Sequence, residues 1–75
     1  MKQVSVFKTS VDAQEHVQKV AGLFHSIKLI THWNFDLDDC DRILRIVSGN
    51  VPPQTIENLL RTEGIYCEHL GSMDL

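Results

Sequence analysis

What this chain lacks narrows its function before anything it contains does. It has no run of lysine and arginine and a formal net charge of −3, so nucleic acid and anionic membranes are poor matches as partners. No stretch approaches the roughly 18 consecutive apolar residues of a membrane-spanning helix. Met1-Lys2-Gln3 leads into a strand-like run and not into an apolar export signal. With only two cysteines, free thiols in a reducing compartment are the expectation, and the chain is read as cytoplasmic. There is no nucleophile–base pair, phosphate loop or dinucleotide fingerprint, and Gly49, Gly64 and Gly71 are isolated turn glycines. One small sheet with two helices also offers little concave volume for a substrate. The expectation is a protein that is not an enzyme, with no catalytic residue and no cofactor.

What is present speaks mainly about fold. A chain of 75 residues is one domain, spanning 1–75, with a core that buries about 60–65% of the surface exposed on unfolding. The most organised stretch runs from Thr31 to Ser48. Trp33, Phe35 and Leu37 alternate with Asn34, Asp36 and Asp38, the period-two pattern of a strand with one buried face. After Asp38-Asp39-Cys40-Asp41 the pattern resumes with Leu44 and Ile46 inward, and two such runs joined by aspartates predict a hairpin.

The remaining elements follow in order. Gln3 to Lys8 reads as a first strand with Val4 and Val6 inward. Val17, Val20, Ala21, Phe24 and Ile27 fall at helical spacing, predicting an amphipathic helix from Asp12 to about Lys28, capped by Ser10 or Asp12. Gly22 inside it costs about 1 kcal/mol against alanine, which close approach of helix to sheet would explain. Pro53 suits the first turn of a second helix bearing Ile56, Leu59 and Leu60, and Gly64 the position just past its end. Ile65 to Leu70 reads as a last strand, with 71–75 as a disordered tail. The order strand, helix, strand, strand, helix, strand is that of an α+β, ferredoxin-like βαββαβ domain. In that domain a four-stranded antiparallel sheet carries both helices on one face.

Three stretches resemble the heavy-metal-associated (HMA) domain, the small fold of copper chaperones. They are Val17-x-x-Val20-Ala21 on the first helix, Trp33-x-Phe35-Asp36-Leu37 leading into Ile43-Leu44-x-Ile46, and Ile56-x-x-Leu59-Leu60 followed by Gly64-Ile65-Tyr66. All three are patterns of packing, and together they cover nearly the whole chain. The chemistry of that family lies in a Met-x-Cys-x-x-Cys loop after the first strand. Counted back from Val17, the resemblance puts its cysteines on Ser10 and Ala13 and its methionine on Lys8. A soft ion such as copper(I) needs thiolates, and a hydroxyl and a methyl supply none, so metal transfer does not carry over. Lys8 also departs from pattern, since the matching methionine faces inward, which leaves a one-residue shift in the first strand's register open.

Two function classes remain. In the first the domain is an interaction or regulatory module that binds an unknown protein partner or a second copy of itself. The inward assignment above leaves Phe7, Ile43 and Val47 on the open face of the sheet, with Arg45, Asn34 and Asp36 among them, and an apolar cluster there marks an interface. In the second it binds copper or zinc through displaced ligands, Cys40, Cys67 and His69. Against this, the third and last strands stand roughly 10 Å apart across the first, beyond the ~7 Å between Cα atoms that a Cys40–Cys67 disulfide needs. Cys67 and His69 share a strand face but leave zinc short of its usual three or four ligands. His16, His25 and His32 read as surface histidines. The aspartates of the hairpin lack the glycine and glutamate of an EF-hand and read as a solvated turn that discourages edge pairing, or else as a docking patch for a basic partner.

Overall fold

A computed structural model describes residues 2–75. The elements run β1 (Gln3–Thr9), α1 (Gln14–His25), β2 (Ile30–Asp36), β3 (Ile43–Ser48), α2 (Pro53–Thr62) and β4 (Cys67–Asp74). The strands pair antiparallel in the order β2-β3-β1-β4, so β2 and β4 are the edges. The fold is α+β, ferredoxin-like βαββαβ.

Each helix meets the sheet along one stripe. Val20 and Phe24 are the buried residues of α1, and Ile56 and Leu60 those of α2. They close on Phe7, Leu44, Ile46 and Cys67 from the strands and on Val11, Val51 and Ile65 from the connections. Trp33 is held at the margin by edge-on contacts to Phe24 at 5.5 Å and Phe35 at 6.0 Å.

The register of β1 differs from the sequence expectation by one residue. Ser5, Phe7 and Thr9 face the helices, while Val4 and Val6 turn to the open side, so Phe7 is a core residue and not an interface residue. The exchange puts one phenylalanine into the core and turns two valines out, a near balance of apolar area. The two hydroxyls that go in with it are satisfied: Ser5 shares a 2.9 Å hydrogen bond with Ser72, and Thr9 Oγ1 donates to the Arg42 carbonyl at 2.6 Å. A buried hydroxyl with a partner costs little.

Other boundaries moved for local reasons. Helix α1 begins at Gln14 with Ala13, which has no side-chain acceptor, as its N-cap; of the two expected caps, Ser10 accepts the Tyr66 N–H and Asp12 faces His16 at 3.5 Å. Gly22 has no close neighbour, since a Cβ there would meet nothing within 4 Å, so close helix–sheet approach is not what places a glycine here. Pairing with β1 continues past Leu70 to Asp74, where the sequence suggested a tail from 71. β1 offers Gln3 to Val6 as partners, and an irregularity between Val6 and Phe7 absorbs the extra residue in β4. Gly64 sits at φ +77°, the left-handed conformation that ends α2 and lets Ile65 N–H donate to the Leu60 carbonyl at 3.0 Å.

Candidate functional site

Two places invite a function: the loop from Lys8 to Ala13 and the open face of the sheet. The loop is tied into the fold along its length. Ser10 N–H donates to the Tyr66 carbonyl at 3.2 Å, and the Ser10 hydroxyl accepts the Tyr66 N–H at 3.0 Å. Thr9 Oγ1 accepts the Val11 N–H at 3.2 Å, and the Val11 side chain is fully buried. Lys8 points outward to Asp41 at 3.5 Å. Neither Ser10 nor Ala13 offers a thiolate, and the Ser10 oxygen already serves the backbone of the segment leading into β4. The phenol of Tyr66 donates to Glu68, and that carboxylate raises the phenol pKa.

The alternative metal ligands are not brought together. Cys40 is exposed in the β2–β3 turn, whereas Cys67 is fully buried on the helix side of β4. Burial, with the Glu57 carboxylate adding to it, pushes the Cys67 thiol up to about 12, so it is a neutral thiol near pH 7. His69 follows on the same face, its ring 5.3 Å from Phe7 and a ring nitrogen 2.8 Å from the Ser72 hydroxyl. Among the described residues the one grouping with ligand spacing is Asp39, Cys40 and Asp41, within 4.8 Å of one another. Its carboxylates are engaged, Asp39 by the Asp41 N–H at 2.8 Å and Asp41 by Lys8.

The state of Cys67 has a direct consequence. A thiol reagent added to the folded chain should modify Cys40 and spare Cys67, one thiol reacting before denaturant and two after, by mass spectrometry. Because the folded-state pKa lies above the unfolded value, Cys67 contributes stability that is intact below pH about 9 and declines as pH rises toward about 12. A Cys67→Ala variant should lose that alkaline component of the stability profile.

The open face is a grid set by the strand registers. His32, Val47, Val4 and Met73 form one row; Asn34, Arg45, Val6 and Gly71 the next; Asp36, Ile43, Lys8 and Glu68 the third. Ile43, Arg45 and Val47 thus lie on the open side, although Ile43 is only 9% exposed and offers little surface. The apolar part is larger than the sequence suggested, because Val4 and Val6 join it with Leu70, 50% exposed, and Met73, 71% exposed. Together with Gly71 and Ser72 these four line a groove of about 350 Å³. The outward Lys8 was the one sequence signal for the true facing of β1; nothing in the spacing of Leu70 and Met73 betrays the bulge that brings both to this face.

No helix of the described residues is long and apolar enough to cross a membrane. A scan against protein-family models finds no match, and a search of curated proteins finds none. Among solved structures the chain is similar to the apo form of the HMA domain of the copper chaperone for superoxide dismutase. The TM-score is 0.77 at 17% sequence identity, covering 95% of this chain and 69% of that one. That similarity, resting on backbone geometry, identifies the chain as having an HMA-like ferredoxin fold.

Proposed function

We propose that the chain is a non-catalytic, cytoplasmic interaction module that docks through its open sheet face onto a second copy of itself. The observation that carries this reading is the uncovered apolar cluster of Val4, Val6, Val47, Leu70 and Met73, which a monomer gains nothing by exposing. The molecule measures 31 × 24 × 18 Å, so its broad face approaches the roughly 800 Å² per partner of a standard interface. Arg45 stands at the centre of the face, with Asp36 and Glu68 at its end, the mixed signs that a two-fold contact can pair. Sedimentation velocity should show concentration-dependent dimer for the natural chain. A Val6→Lys/Met73→Lys variant should be monomeric with an unchanged circular dichroism spectrum. A natural chain that stays monomeric at millimolar concentration removes this reading.

A further inference from the structure

A sheet edge leaves alternate N–H and C=O groups without a strand to bond them, and on β4 two of these groups are taken by α2. Ser10 N–H donates to the Tyr66 carbonyl at 3.2 Å. The antiparallel ladder therefore directs the backbone of Glu68 toward β1 and that of Cys67 and His69 away from it. On that outer side Arg61 Nη2 donates to the Cys67 carbonyl at 3.1 Å, and the His69 N–H donates to Glu57 Oε2 at 2.9 Å. These are the groups a further strand would bond.

Glu57 and Arg61 stand four residues apart on α2, neighbours on one side of the helix. Glu57 is half-buried and Arg61 exposed, and neither belongs to the apolar core. Beyond His69 the register irregularity and Gly71 interrupt β4, which makes it a poor template there. The two side chains thus cover the regular part of the edge and leave the irregular part bare. The strands lie in the order β2-β3-β1-β4, all antiparallel, so β2 and β4 run in opposite directions. A copy of the chain set beside β4 by translation would continue the ladder through its own β2. The next copy would do the same, since a head-to-tail contact of this kind does not close.

We propose that Glu57 and Arg61 form an autoinhibitory clasp that occupies the outer edge of β4 and stops the β2 of a second copy from pairing with it. Each bond carries a charged group, a carboxylate as acceptor or a guanidinium as donor, and is stronger than the neutral main-chain bond a strand would offer. An arriving strand must displace both before it gains any of its own. The clasp acts at an edge and not on the open face, so it stands whether or not that face self-associates. Face pairing closes at a dimer, whereas edge pairing of β4 to β2 has no end.

The test compares the natural chain with Glu57→Ala/Arg61→Ala, which spares the core and suits a helix, and with Glu57→Gln, which keeps an acceptor oxygen. In the double variant the His69 amide should exchange about tenfold faster, the loss of a hydrogen bond to a charged group, while the Val20 amide in α1 keeps its rate. Sedimentation should show species that grow with concentration past a dimer, and the assembled material should gain exchange protection along β2. Glu57→Gln should resemble the natural chain in both respects. The natural chain's own stopping point, monomer or dimer, reports on the open face alone. An unchanged His69 rate would overturn the proposal, as would a double variant that stops at the natural chain's size at millimolar concentration. Growth accompanied by loss of Val20 protection, or growth without protection at β2, would overturn it too.

Discussion

Phe7→Ala should remove about 3–5 kcal/mol of the chain's stability. Phe7 is completely buried between Leu44 and His69, its cross-strand partners on β3 and β4. Truncating a buried phenylalanine removes both its transfer free energy and the packing around it. A domain of this length holds only roughly 4–11 kcal/mol in total, so the loss takes most of the stability at the low end of that range. Val6→Ala, one residue away on the open side, should cost under about 1 kcal/mol. Urea titration of the two variants separates them, and a larger loss for Val6→Ala than for Phe7→Ala would mean that the strand faces have been exchanged. The contrast depends on register alone, since the two residues are adjacent in sequence.

The second large effect is a gain. Ser10→Cys/Ala13→Cys should bind copper(I) several orders of magnitude more tightly than the natural chain, because two thiolates replace a hydroxyl and a methyl. Ala13 is the N-cap of α1, and the free N–H groups of a helix start lower the pKa of a cysteine placed there. The substitution costs the hydrogen bond in which Ser10 accepts the Tyr66 N–H, about 1 kcal/mol, which the fold tolerates. Ser10→Cys alone, with one thiolate, should fall between the two. A double variant that binds no better than the natural chain would show that the loop, fastened to Tyr66 and Arg42, no longer has the geometry of a metal site.

The order of elements was legible because it rests on period and punctuation: Trp33, Phe35 and Leu37 alternate, Val17 to Phe24 recur at helical spacing, and Pro53 and Gly64 bracket α2. The side of β3 on which Ile43, Arg45 and Val47 stand was legible too, since Leu44 and Ile46 fix the opposite face. The face of β1 was not. Val4 and Val6 alternate as persuasively as Ser5, Phe7 and Thr9, and the choice turns on hydrogen bonds to Ser72 and Arg42 that lie far away in sequence. The end of β4 was hidden for a similar reason: Gly71-Ser72-Met73-Asp74 has weak strand propensity and pairs because β1 presents a partner. The candidate docking face inherits both errors, which is why Val4, Val6, Leu70 and Met73 emerge only from the structure while Phe7 leaves the set.

In this HMA-like fold the first loop serves the backbone and one face of the sheet is left bare. The most direct test is a copper(I) titration of the natural chain against a colorimetric copper(I) chelator under reducing conditions. The ion should stay entirely with the chelator. Transfer of one equivalent to the protein, abolished by Cys67→Ser, would contradict the account and restore a metal-binding role.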